Sequence, residues 1–177
     1  NDDPNEAITT NITSTLYIMQ EAAKYDKRLV FASSGAADTP NESLYGFTKW
    51  VGEVEASRLN RSNGKDHVLR FSNVYGGKYW EEKPSVILIF QRRKLKGKKL
   101  IVHGEGTQKR DFIHVFDICR AIWKALNTRR IIGLPIPICT GETTSVLEIA
   151  KKMKCEFTFD KNNVNVGAEN VITDTKL

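Results

Sequence analysis

The 177-residue chain predicts an α/β fold built on a parallel sheet. Three observations carry this. Helical and strand-like patterns alternate through residue 75, the rhythm of βαβ units. The strand-like segments are short, unbroken apolar runs, as expected for strands buried on both faces. Beyond residue 76 the alternation loosens into shorter pieces, which predicts a smaller C-terminal lobe.

Asp2 or Asp3 caps the first helix, with Pro4 in its first turn. Ile8, Ile12, Leu16 and Met19 recur at helical spacing and carry an apolar stripe to about Lys24. Arg28 to Ser33 reads as a buried strand, and Gly35, Asp38, Pro40 and Asn41 as a loop. A second amphipathic helix runs from about Ser43 to Leu59, with Val51, Val54 and Leu59 among its apolar positions, and His67 to Phe71 is the next strand. Later come a helix from Ser85 to Leu95 ending at Gly97, a strand at Leu100–Val102, a turn at Gly104 and Gly106, and a short strand over 111–114. A helix from Val115 to Leu126 and a strand from Pro135 to Cys139 follow; the prolines suit a strand start or an edge. Thr144 or Ser145 caps a helix to Lys154, with Glu148 completing a capping box from Ser145. Phe157–Phe159 is a last strand, and the tail from Asn162 is polar.

A hydrophobic content of 40% suffices for a packed core, yet no apolar run approaches the roughly 18 to 20 residues of a membrane span. The opening residues, NDDPNE, read as a helix start and not as a secretory leader. Cys119, Cys139 and Cys155 form no C-x-x-C pair, so no zinc or redox motif is expected and the setting is taken as the reduced cytoplasm. His67, His103 and His114 lack metal-ligand spacing, so no metal is expected. Net charge is +6, and six cations crowd into Arg92, Arg93, Lys94, Lys96, Lys98 and Lys99. The run falls at a predicted helix end, where cations suit the dipole, so a solvated helix end is preferred over a nucleic-acid partner.

One constellation carries chemistry. Ser33 and Ser34 close a predicted strand at its carboxyl end, the edge where open α/β sheets bind ligands. Tyr45 and Lys49 stand four residues apart on one helix face. An ammonium beside a phenol favours the phenolate, so such a tyrosine can move a proton to or from a hydroxyl. The Ser34 hydroxyl can hold the same oxygen.

These motifs resemble extended short-chain dehydrogenases/reductases, and among them the NAD-dependent epimerase/dehydratase family typified by UDP-glucose 4-epimerase. The likeness covers nearly the whole chain. Asn11 to Thr15 is similar to the family's Asn-x-x-Gly-Thr, with Ser14 for Gly; Phe31-Ala-Ser-Ser34 to its serine-rich strand end; Leu44-Tyr-Gly-Phe-Thr-Lys49 to Pro-Tyr-Gly-x-Ser-Lys. Arg70-Phe-Ser-Asn-Val-Tyr-Gly76 matches a further strand end, and the stretch from Val102 to Asp117, with Arg110-Asp-Phe, is the most specific match.

The resemblance implies a partial Rossmann-like parallel sheet with a small C-terminal substrate-binding lobe: residues 1–76 and 113–140 on the sheet, 77–112 and 141–177 in the lobe. It implies catalysis by Ser34, Tyr45 and Lys49, with NAD held by Asn11, Ser33, Tyr45, Lys49 and Val74. Asn73 and Arg110 would hold the diphosphate of a nucleotide sugar, and a homodimer would form through residues 5–24 and 43–60. Dehydratases of the family carry an Asp-Glu pair after the serine; Gly35-Ala36 stand there, which favours epimerisation or simple oxidoreduction. The family's glycine-rich turn and ribose-binding acid are absent, Ala37-Asp38-Thr39 replaces a Val-Tyr-Gly, the loop from Ser34 to Tyr45 is short, and Asn165-Val-Gly-Ala168 replaces an Arg-Pro-Gly-Asp. The chain is therefore read as a fragment cut at both ends, expected to bind NAD weakly by itself. The alternative is a non-catalytic relative that binds RNA or protein, or an inactive truncated product.

Overall fold

The computed structural model describes residues 3–63, 66–77, 85–128 and 135–162, the side chains of 61–63 excepted. The departures noted at Asn165–Ala168 lie outside the described residues. The chain divides into two compact units: Asn1–Phe71 with Ile118–Ile138, and Ser72–Asp117 with Cys139–Leu177.

In the first unit Asp3 caps helix α1 (Pro4–Ile8), its carboxylate accepting from the Asn5 and Glu6 amides at 2.8 and 3.2 Å. The expected single helix is interrupted by a π-helical turn, Thr9–Thr13, before α2 (Ser14–Lys24). Here the Ser14 amide reaches back to the Thr9 carbonyl, so one extra residue enters the turn. This changes which residues are buried. Ala7 and Met19 are both buried. Twelve steps of an α-helix would set them about 120° apart, and removing one step brings them within about 20°. Ile8, assigned to the apolar stripe by its spacing, is instead 40% exposed.

Strand β1 (Val30–Ser34) leads through a 3₁₀ turn (Gly35–Asp38) to α3 (Leu44–Asn63), and α3 returns the chain to β2 (His67–Phe71). β1 and β2 pair in parallel from Val30↔His67 to Ser34↔Phe71. β6 (Ile136–Ile138) joins the far side of β2, giving the order β1-β2-β6. Met19, Phe31, Ala56, Leu59 and Val68 form the core beneath α2 and α3. Burying each of the four larger side chains is worth about 1.5–3 kcal/mol. Gly52 allows the close approach: a Cβ there would lie 2.4 Å from the Phe31 ring. Val54, expected to face inward, is exposed. Asn60 clamps residue 66 by two 2.8 Å bonds to its backbone, and the Asp66 carboxylate receives the Leu29 amide at 3.0 Å, tying the α3 end to both strands.

The second unit holds β3 (Asn73–Tyr75), α4 (Val86–Leu95), β4 (Leu100–His103), β5 (Lys109–His114), β7 (Thr143–Ser145), α6 (Val146–Lys152) and β8 (Phe157–Asp160). Helix α5 (Val115–Asn127) begins here and continues into the first unit. β5 lies between β3, parallel, and β7, antiparallel; β4 pairs with β8 in parallel. Phe90, Leu100, Val102, Ile149 and Ala150 make its core. Ser145 caps α6, and the capping box with Glu148 is complete. β3 and β7, each Asn73–Tyr75 or Thr143–Ser145 long, were not expected as strands: runs so short carry no readable periodicity.

Candidate active site

Ser34 ends β1 and caps the 3₁₀ turn, its Oγ accepting from the Ala36 amide at 3.3 Å. The first turn of α3 docks on that same turn. At Gly46 a Cβ would stand 2.4 Å from the Ala36 carbonyl oxygen, so only glycine permits the contact. Tyr45, beside it, keeps its side chain 50% exposed. One turn later the Lys49 ammonium donates to the Ala32 carbonyl at 3.1 Å. It lies 5.7 Å from the centre of the Tyr45 ring and 5.4 Å from that of Phe31. Burial pushes the Lys49 pKa below its ordinary value of 10.5.

Thr48 locks this helix turn. It is fully buried, donates to the Tyr45 carbonyl at 2.8 Å, and accepts from the Asn11 amide group at 3.4 Å. Asn11 therefore reaches α3 from the π-helical turn. The Ser33 hydroxyl points the other way: it is buried and donates to Glu53 at 2.5 Å. That leaves the Ser33 backbone, not its hydroxyl, at the strand's carboxyl edge. Glu53 also receives Arg70 through two 2.7 Å bonds, and Arg70 bonds Asp38 in the 3₁₀ turn. The Glu53 bonds first, then its charge and that of Asp38, raise the Arg70 pKa against the cost of burial.

The other sequence-selected residues belong to the second unit. Asn73 and Val74 pair with Phe112 and Ile113 across β3 and β5, and the Asn73 amide group donates to the Asp111 carbonyl at 3.3 Å. The Asp111 carboxylate is buried and accepts from the Ser72 hydroxyl, the Thr140 amide and hydroxyl, and the Gly141 amide at 2.7 to 3.1 Å. Arg110, its strand neighbour, points to the opposite face. Its guanidinium forms no ion pair with Asp111 or Glu105, the partners an ordinary surface arginine would take. Among the described residues no three His, Cys, Asp or Glu side chains gather as a metal site requires.

Sequence reasoning passed over Thr48, Glu53 and Asp111 as organisers. A signal existed for two: Arg70 is a charge inside a buried strand, which demands a buried acid, and Asp111 is an acid inside another.

A family model described as NAD-dependent epimerase/dehydratase matches residues 1–134. The chain belongs to that family. It is 37% identical over 166 residues to a putative UDP-glucose 4-epimerase of Methanocaldococcus jannaschii, covering 84% of this chain and 53% of the relative. It superposes on the UDP-glucose 4-epimerase of Thermotoga maritima, solved with UDP-glucose, with a TM-score of 0.77 and 27% identity over 92% of this chain and 61% of that one. The UDP-glucuronic acid 4-epimerase of Bacillus cereus, solved with UDP-glucuronic acid and NAD, gives 0.72 and 25% over 89% and 56%. The chain thus spans about half the length of the curated relatives it matches. The epimerase/dehydratase residues present suit one end of NAD. An ammonium has three donors, and Lys49 commits one to Ala32, leaving others for ribose hydroxyls beside the exposed Tyr45 phenol. The sequence carries no Gly-x-x-Gly-x-x-Gly run, the pattern that sets a pyrophosphate on a helix N-terminus.

Proposed function

We propose that this chain carries the proton-handling half of an NAD-dependent nucleotide-sugar epimerase. The observation that carries the reading is the Lys49 ammonium pinned to the Ala32 carbonyl, 5.7 Å from the Tyr45 ring, on the helix that docks against the Ser34 turn. NAD, when bound, supplies the hydride acceptor. Tyr45 takes the proton of the sugar hydroxyl as it is oxidised and returns it after the keto-sugar has turned over. Ser34 accepts from the Ala36 amide, so its own proton is free to be donated to the same sugar oxygen. Lys49 keeps positive charge beside the phenol and holds the ribose. In this reading NAD is held by Asn11, Ser33, Tyr45, Lys49 and Val74, while Asn73 and the fork of Arg110, which makes no ion pair among the described residues, take the diphosphate.

Epimerisation is favoured over dehydration, which needs an acid–base pair after Ser34. Gly35 and Ala36 supply none, and the acid of that turn, Asp38, is engaged by Arg70. Tyr17, Ile18, Trp50 and Val54 leave large apolar surfaces exposed on α2 and α3, which supports a homodimer formed through these helices. Three unpaired cysteines support a cytoplasmic setting.

The test uses the protein with its cofactor-binding part complete, assayed on UDP-glucose and UDP-glucuronate. Tyr45→Phe lowers turnover about a thousandfold while bound NAD is retained. Unchanged turnover in that variant refutes the assignment.

A further inference from the structure

The basic run at 92–99 has a partner that its position in the chain conceals. Lys94, in the last turn of α4, donates to the Met153 carbonyl at 2.9 Å, which sets the ends of α4 and α6 side by side. Lys151, Lys152 and Lys154 therefore join Arg92, Arg93, Lys94, Lys96, Lys98 and Lys99. Nine cations stand in these two short segments against one acid, Glu156, which pairs with Lys99 at 2.9 Å. The whole chain carries only +6, so the remainder is slightly acidic and the basicity is confined to this end of the second unit.

Helix chemistry does not account for so many. A helix C-terminus carries roughly half a negative charge, so two of them balance about one cation. The Arg93 guanidinium is partly occupied by the Lys99 carbonyl and Lys94 by that of Met153, but both remain cationic. The surface is also concave: a groove of about 280 Å³ is lined by Lys94, Gly97, Lys98, Lys99, Cys155 and Glu156. A concave cationic surface suits a ridge of phosphates. A lipid surface is flat and is entered by apolar side chains, and Leu95 is the one large exposed apolar residue in these segments.

We propose that the joined ends of α4 and α6 bind the phosphate backbone of a nucleic-acid duplex, by charge and without sequence preference. This reverses the sequence-based preference for a solvated helix end, because the sequence does not show that the second cluster is adjacent. The surface is independent of Tyr45 and Lys49.

The 177-residue chain is titrated into a labelled DNA duplex of about 20 base pairs, followed by fluorescence polarisation from about 50 to 200 mM salt. Contact with about four phosphates gives a log–log slope near −3.6. Lys96→Glu, Lys98→Glu and Lys154→Glu together weaken binding at least tenfold and flatten the slope, whereas Lys24→Glu with Lys27→Glu in the first unit does not. Replacing the same three by Gln weakens binding less than reversal does, and circular dichroism checks that both variants fold. Equal binding by the triple reversal overturns the proposal. So does absence of duplex binding at the lowest salt, or binding to phosphatidylserine vesicles without binding to the duplex.

Discussion

The two units each bury a carboxylate, and they compensate it differently. In the first, Glu53 meets a cation: Arg70 grips it with two bonds while Ser33 adds a third. In the second, the donors that Asp111 meets among the described residues are neutral: the amides of Thr140 and Gly141 and the hydroxyls of Thr140 and Ser72. A charge pair fastens one element to the next, here α3 to the strand that follows it, β2. A ring of neutral donors shapes a loop around one strand residue and uses up no arginine. That economy leaves Arg110, next to Asp111, with its guanidinium uncommitted to either nearby acid.

The difference predicts unequal responses to mutation. Asp111→Ala strands two backbone donors that cannot turn to solvent, costing about 4 kcal/mol; urea denaturation checks it, and a loss under 1 kcal/mol would show that the ring is not what orders residues 140–141. Glu53→Ala leaves a half-buried Arg70 with only Asp38 and costs about 3 kcal/mol. The double change Glu53→Met with Arg70→Met returns to within about 1 kcal/mol of the parent, because removing both charges removes the desolvation cost too. No equivalent rescue exists for Asp111, because two of its donors, the Thr140 and Gly141 amides, are main chain.

A smaller effect reports on the Asp111 charge itself. Burial first, and then the negative charge of Asp111, hold the Cys139 thiol above its ordinary value of 9.0, opposed by a bond from the Gly141 amide. The thiol thus stays protonated as pH rises, and alkylation of Cys139 by iodoacetamide sets in at higher pH than for a free thiol. Asp111→Asn shifts that profile to lower pH; an unmoved profile would assign the whole shift to burial. The linked stability is present below the ordinary thiol range and is lost as pH rises through the raised value. Smallest is Ser145→Ala, which removes the α6 cap and costs about 1 kcal/mol by thermal melting.

The parallel sheet and most elements were legible because each apolar run has its own length and punctuation: β1, β2 and β4 emerged within two residues of their reading. Ser34, Tyr45 and Lys49 were legible because their spacing places them on one strand end and one helix face. Thr48 was not, since a threonine inside a helix usually marks nothing; its role depends on Asn11 arriving from thirty-seven positions earlier in the chain. Nor was Ile8, because the count of residues per turn changes between it and Met19.

That change of count has a consequence for length rather than for composition. The π turn at Thr9–Thr13 works as a phase shifter: it absorbs one residue so that the faces before and after it agree. Deleting a single residue there would restore an unbroken α-helix in which Ala7 and Met19 stand eleven steps apart, still within about 20° of each other, so Ala7 keeps its place in the core. Here, a gene losing one codon would gain helical regularity and keep alignment, whereas gaining one would swing α1 by about 100° and carry Ala7 out of the core, so this segment tolerates a change of length in one direction only.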